Sequence, residues 1–392
     1  MDDRHVTSLT AVVSRFPAPS QTFIRRKLMG LRDAGIDVRV AATVVGDASS
    51  TGLEVSGLLP WGTPTRTLEP SIRRAWGGVA RGIRSTVAGS LRSPIAALVQ
   101  APVASMDTDW VHFEFSGIAI TYAPAVDVLR RGGTRIGLSC RGAAEQIEPL
   151  VDPRRATQLC EAFERADLIH CVSDDMRRTV EGFGAPPERI LVNRPAVPVA
   201  DFAPLRRREP SEGDPLRVLS VGRLHWKKGL DDGLRTVAGA RDRGIDIEYR
   251  IVGEGSERDK LTFLIAELGL EGRATLLGAR DQEAVRAELD AADVLLLPSL
   301  SEGISNAVLE AMAAGRPVIT TRCGGMDEVV DDGVDGLLVD VGDHEAMAEH
   351  LAGLAEDPER RHRLEIAAAD RADREFDLSR QISLFLGAYG AS

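Results

Sequence analysis

Cysteine is scarce in this sequence and shows no pairing pattern. Cys140, Cys160, Cys171 and Cys323 form no C-x-x-C and have no metal-like spacing with histidine. A disulfide scaffold and a zinc ribbon are thereby excluded, and the four residues fit reduced thiols in a cytosol. Aromatic residues are few, at 4%. No apolar run approaches the roughly 18 residues of a membrane span. The start, MDDRHVTSLT, has neither the basic region nor the apolar core of a secretory leader, so a cytoplasmic protein is expected. Basic excess is also missing. The 392 residues carry a net charge of −11, and nucleic acid is not an expected partner. That charge is uneven, +2 over residues 1–205 and −13 over the rest. A phosphate-bearing ligand of the second half therefore needs local cations.

Hydrophobic content of 43% is enough for full cores, and the length suggests two domains. Strand-like and helix-like segments alternate throughout. In the first half, strands read at His5–Val13, Ile36–Thr43, Trp110–Phe115, Thr134–Leu138 and Asp167–Val172, with helices over Thr22–Ala34 and Gly117–Arg131. In the second, strands Arg217–Val221, Ile247–Val252 and Ala274–Leu277 alternate with helices Gly229–Arg243, Glu257–Leu268 and Asp281–Ala291. This pattern predicts an α/β protein with two doubly wound parallel sheets. Residues 1–195 read as one domain, 196–215 as a proline-rich linker, 216–375 as a second domain, and 376–392 as an amphipathic terminal helix.

The most informative stretch is Leu297–Thr320, LPSLSEGISNAVLEAMAAGRPVIT. The apolar run Val294–Leu297 stops at Pro298, a polar loop follows, Asn306–Ala314 reads as a helix, and a strand restarts at Val318. Such a unit aims helix amides beyond the carboxyl end of a strand. Glu302 lies in the loop, beside the opening amides, and Glu310 a little over one turn into the helix. Small residues around them, among them Gly303, Ser305 and Ala307, allow close backbone approach to a ligand. Read from spacing alone, Glu302 is equally a helix-start acid and Glu310 a solvated face.

The segment SEGISNAVLEAMAAGRPVI resembles the glutamate-x7-glutamate signature of glycosyltransferase family 4, the retaining nucleotide-sugar transferases of GT-B fold. The text from VGRLHWKKG to GLLV resembles the family almost continuously, and FPAPSQTFI resembles its exopolysaccharide, colanic-acid-like branch. The resemblance implies two Rossmann-like domains facing a central cleft, the first on the acceptor side and the second on the donor side. It implies that Arg223 and Lys228 bind the donor diphosphate, as fixed cations do at developing charge. Lys227 then reads as solvated. Gly222, Gly253, Gly255, Gly303, Ile304 and Ser305 would contact the donor, Glu302 its sugar, and Glu310 the ribose hydroxyls; Arg280 would lie near the base. The chemistry implied is catalysis by Glu302, Arg223, Lys228 and His112 with no metal and no cofactor, the donor being a substrate. Gly253-Glu254-Gly255 is not a dinucleotide fingerprint, because Arg258 stands where a third glycine would be.

The amino-terminal half departs from the family. Its first loop lacks a glycine-rich turn, and Glu114 and Arg141 stand where many relatives have histidines. Ser20, Glu114 and Arg141 are acceptor-side candidates, and His112 shares a strand face with Glu114. Asp107-Thr108-Asp109 precedes a strand, at the wrong end for a ligand site, and reads as a turn. Residues 70–106 contain no acid and five arginines, Arg73, Arg74, Arg81, Arg84 and Arg92. They read as basic amphipathic helices suited either to the inner face of a membrane or to a plain solvated surface. The expected activity is hexosyl transfer from a UDP- or GDP-sugar to a glycan, lipid-linked or small-molecule hydroxyl. A sugar-nucleotide epimerase and a non-catalytic sugar-nucleotide-binding protein are the alternatives.

Overall fold

The computed structural model describes residues 6–18, 21–58, 94–207 and 214–391. Two compact units divide the chain: Met1–Asn193 together with Gln381–Ser392, and Arg194–Arg380.

The first unit holds strands β1 (Ser8–Phe16), β2 (Asp37–Val45), β3 (Glu54–Gly57), β4 (Trp110–Phe113), β5 (Arg135–Cys140), β6 (Leu168–Cys171) and β7 (Ile190–Val192). They lie in the order β3-β2-β1-β4-β5-β6-β7, every pair parallel. Every residue of β4 and β6 is buried, as a sheet covered on both faces requires. The helix Thr22–Asp33 turns Ile24, Lys27, Leu28 and Leu31 inward, the spacing of a single helical face.

The second unit holds β8 (Leu216–Val221), β9 (Ile247–Val252), β10 (Ala274–Gly278), β11 (Val294–Leu297), β12 (Val318–Thr321) and β13 (Leu337–Val339). Their order is β10-β9-β8-β11-β12-β13, again all parallel. The uninterrupted apolar run of β11 is explained by its two faces. Val294 and Leu296 enter one core and Leu295 and Leu297 the other, with successive side chains on opposite sides. In each sheet the strand order reverses once, between β1 and β4 and between β8 and β11. Ligands of such sheets bind beyond the strand ends at these switch points.

Several expectations are corrected. The first strand, expected to end at Val13, runs on to Phe16, and the strand at Trp110, expected to reach Phe115, ends at Phe113. The helix expected over Gly117–Arg131 is two, Ser116–Thr121 and Ala123–Arg131, because Pro124 cannot donate into a preceding turn. β3, β13 and the helices Pro153–Arg165, His344–Glu356 and Pro358–Glu375 had no sequence expectation. The stretch 196–215 is no separate linker where described: Val197 and Phe202 are buried in a core of the second unit. The backbone of Val197 bonds to that of Phe376 and Leu378. Of the basic segment 70–106, the helix Pro94–Ala104 is described and carries no charge. The five arginines lie outside the described residues, as does Ser20. The terminal helix Leu378–Tyr389 begins at the end of the second unit, and from Gln381 onward it belongs to the first. No described helix is long and apolar enough to cross a membrane.

Candidate active site

In the second unit, the loops after β8, β9, β11 and β12 interlock at the switch point. Gly222 leads the first, and a Cβ there would stand 3.1 Å from Lys228 Cε, so the lysine stem lies across it. A short helical turn, Trp226–Lys228, ends at Gly229 with φ 56°, a left-handed conformation that favours glycine. A Cβ at Gly229 would stand 2.0 Å from the Pro298 carbonyl oxygen, and Leu300 N donates to the Lys227 carbonyl at 2.7 Å. Loop 222–229 is thus bolted to the loop after β11. The loop after β9 is as tight. Gly253 (φ 150°) would place a Cβ 1.8 Å from the Gly222 oxygen, Gly255 one 2.1 Å from the Leu224 oxygen, and Leu224 N donates to Glu254 O at 2.9 Å.

The charges follow from this frame. Lys228 Nζ is ion-paired with Glu302 Oε1, which also accepts from Ser299 Oγ at 2.9 Å. The two charged side chains are 17% and 15% exposed. Glu302 is fixed from behind as well: a Cβ at Gly324 (φ 57°) would meet its carbonyl oxygen, and Gly325 N donates to Gly303 O at 2.8 Å. Gly303, Ile304 and Ser305 are buried, and no side chain caps the helix Asn306–Ala313 that follows. Glu310 is half-buried along that helix, and Arg223 is exposed at the start of the β8 loop. Arg280, expected near the base, is exposed just after β10. Sequence reading missed Ser299, Gly324 and Cys323. Cys323 lies against this frame with its thiol pushed up to about 11, chiefly by burial. The signal for Gly324 was the Gly-Gly pair after an apolar strand.

The first unit brings its candidates together differently. Glu114 is fully buried, 2.8 Å from Lys27 Nζ and 2.7 Å from Arg141 Nη2. Burial alone would raise its carboxyl pKa, but the two cations outweigh that and hold it below the usual range. Burial lowers Lys27 to about 8, against the pull of Glu114. Arg141 donates from Nε to the Glu114 carbonyl at 3.1 Å and stacks over Phe23, its side chain 11% exposed.

His112 closes a buried polar chain. His170 Nε2 lies 2.8 Å from the Asn193 carbonyl oxygen, which only accepts, so this nitrogen carries the proton. His170 Nδ1 then accepts from Ser139 Oγ at 2.8 Å, and Ser139 accepts from His112 Nε2 at 2.9 Å. His112 Nδ1 in turn accepts from the Tyr389 hydroxyl at 3.0 Å. Both imidazoles are neutral, and burial holds them well below the usual value. With no exposed surface and both nitrogens bonded, His112 is a structural residue here rather than a group in contact with a sugar. Glu114, expected to touch an acceptor, likewise has no exposed surface; it orients Arg141 instead. Asp109 accepts from the backbone amides of Thr7 and Ser8 and so ties the start of β4 to that of β1. Among the described residues no three His, Cys, Asp or Glu side chains cluster to hold a metal ion.

Two doubly wound units, one with a cation and an acid paired at its switch point, have the architecture in which ligands bind beyond the strand ends. Comparison with known proteins gives that architecture relatives. Residues 201–371 match the family described as "Glycosyl transferases group 1". The putative colanic acid biosynthesis glycosyltransferase WcaL of Salmonella typhimurium is 29% identical over 370 residues, 86% of this chain and 88% of the relative. The amylovoran biosynthesis glycosyltransferase AmsK of Erwinia amylovora is 28% identical over 398 residues, 94% and 96% of the two chains. Anabaena HepE, solved with UDP, superposes with a TM-score of 0.75 at 18% identity, covering 98% of this chain and 100% of that one. The same protein has also been solved with UDP-glucose, at a TM-score of 0.72 and 18% identity over 97% and 99% of the two chains. Residues 201–371 are thus similar to the group 1 glycosyltransferases, the relatives that match along nearly the whole chain are glycosyltransferases, transferase enzymes, and the fold is that of the GT-B structures.

Proposed function

We propose that this protein is a retaining, metal-independent hexosyltransferase of exopolysaccharide assembly, taking a UDP-sugar, or by the same contacts a GDP-sugar, as donor. UDP is placed first because HepE was solved with UDP and UDP-glucose. Exopolysaccharide synthesis is favoured by the names of the full-length relatives. The acceptor is a hydroxyl of a glycan, lipid-linked or free, and the reaction runs in the cytoplasm, with peripheral membrane contact through 70–106.

The observation that carries this reading is the Lys228–Glu302 pair on the loop that the exposed Arg223 begins. Arg223 and Lys228 take the diphosphate and stabilise it as the glycosidic bond breaks. When Lys228 turns to phosphate, Glu302 is released and accepts hydrogen bonds from the donor sugar's hydroxyls, with the amides of Gly303, Ile304 and Ser305 beside it. Glu310 takes the ribose hydroxyls, and Gly222, Gly253 and Gly255 admit the nucleotide closely. The leaving phosphate accepts the acceptor's proton, so no protein carboxylate has to act as nucleophile, unlike the paired acids of glycoside hydrolases. Arg141, held by Glu114, is the acceptor-side cation.

A panel of nucleotide sugars tested by thermal shift checks this, since ligand binding to the folded state raises its apparent stability. One UDP- or GDP-sugar is expected to raise the Tm, and Lys228→Ala and Glu310→Ala to abolish the rise. Unchanged shifts in both variants would refute the site.

A further inference from the structure

We propose that the indole of Trp226 is a stacking platform for a pyranose ring of the acceptor, forming a carbohydrate subsite next to the diphosphate loop. The proposal rests on reading the second unit as the donor side.

Trp226 is 47% exposed, while Trp110, the other tryptophan among the described residues, is buried. An exposed indole on a loop is ordinarily free to reorient, but this one stands on a rigid mount. Its carbonyl accepts from Gly229 N at 3.1 Å, and His225 Nδ1 caps the turn by accepting from Lys227 N at 3.3 Å. Gly229 is wedged against Pro298, and the next carbonyl is held by Leu300 N. The ring leans on His225, centroids 5.6 Å apart and planes tilted by 36°, with the Lys227 ammonium 5.7 Å from its centroid.

Position distinguishes this ring from the other exposed apolar side chains, such as Phe263. Trp226 opens the turn whose last residue, Lys228, is paired with Glu302. The indole and the ammonium assigned to the departing phosphate are thus carried by one three-residue turn. A pyranose suits the site because one of its faces is a patch of C–H bonds carrying partial positive charge. That patch meets the negative face of the indole while the hydroxyls stay at the ring edge, open to water and polar neighbours. A rigid aromatic supplies this contact at low entropic cost.

The test uses UDP-saturated protein with methyl β-D-glucopyranoside, methyl β-D-galactopyranoside and methyl α-L-fucopyranoside as probes. Binding is read by saturation-transfer NMR, and UDP affinity by calorimetry. The wild type is expected to bind at least one pyranoside with transfer strongest to the protons of one sugar face. Trp226→Ala should weaken that binding about tenfold or more, and Trp226→Phe should restore part of it, both with UDP affinity within about twofold of wild type. Weaker UDP binding in Trp226→Ala would assign the ring to the nucleotide and overturn the proposal. So would equal pyranoside binding in wild type and Trp226→Ala, or no pyranoside binding by UDP-loaded wild type. Failure of the donor-site reading looks different: the wild type then binds no UDP at all.

Discussion

Glu302→Gln should tighten UDP binding while removing the advantage that a donor sugar has over bare UDP. In the free protein Lys228 is neutralised by Glu302, and a diphosphate has to compete with that carboxylate. Two unit charges 4 Å apart interact by about 4 kcal/mol at an effective dielectric of 20. The pair is 17% and 15% exposed, so solvent screens part of this. The glutamine keeps a neutral acceptor for the ammonium. A net change of about 1.5–2 kcal/mol is therefore expected, the scale of a charge-assisted hydrogen bond. At 1.36 kcal/mol per decade this is roughly 10–30-fold in the Kd of UDP. UDP-glucose should gain less than UDP, because its hexose hydroxyls lose the charged acceptor. Calorimetric titration of both ligands into wild type and variant measures the two Kd values and their ratio. Weaker UDP binding in the variant, or an identical change for both ligands, would show that the ion pair does not exchange with phosphate.

Gly229→Ala should cost about 3 kcal/mol or more, seen as a lower urea midpoint, because φ is 56° and the new Cβ would stand 2.0 Å from the Pro298 oxygen. It should also weaken UDP by displacing Lys228; an unfolding free energy within about 0.5 kcal/mol of wild type would contradict the packing. Glu114→Gln leaves the buried Lys27 and Arg141 cations short of their counter-charge and should cost roughly 3–5 kcal/mol. Combined with Lys27→Met it should cost less than the sum of the single changes, and strict additivity in urea unfolding would count against a shared cluster. Acid should destabilise the first unit. His112 and His170 stay neutral when folded, whereas the unfolded chain binds a proton at each near pH 6.5, so stability is lost as pH falls below that value. The expected slope is about 1.4 kcal/mol per pH unit for each histidine, and a flat profile from pH 7 to 5.5 would argue for protonated rings in the fold.

The second unit was largely legible because its signals are local. Strands Ile247–Val252 and Val294–Leu297 have the bounds that their apolar patterns gave. Asp281 caps its helix through the amide of Ala284, as a short acid before an amphipathic run does. The first unit was less legible because its key contacts are distant in sequence. His112 lies on β4 and Glu114 just past its end, and from their alternate positions alone a site was a fair reading. What decides their roles is Lys27, 87 residues before Glu114, and Tyr389, 277 residues after His112. On its own helix Lys27 falls at the inward spacing of Ile24, Leu28 and Leu31, but no pattern within that element shows which carboxylate it meets.

This difference in range also separates the two units in what they are able to do. In the first, one carboxylate serves two cations and nothing but the edge of Arg141 reaches the surface. Replacing any member by a ligand group would strand a charge in the interior, so the cluster resists exchange and acts as a fixed support. In the second, one ammonium faces one carboxylate, both partly open to solvent, with the exposed Arg223 at the start of the same loop. On the proposed donor reading, an anion arriving there would replace the partner of Lys228 without burying an unpaired charge, because Glu302 keeps the Ser299 hydroxyl. Exchange of this kind needs a backbone that does not follow the side chains. The wedged glycines Gly229, Gly253 and Gly324 supply it, which on the proposed reading makes the smallest residues of the unit as necessary as its charges.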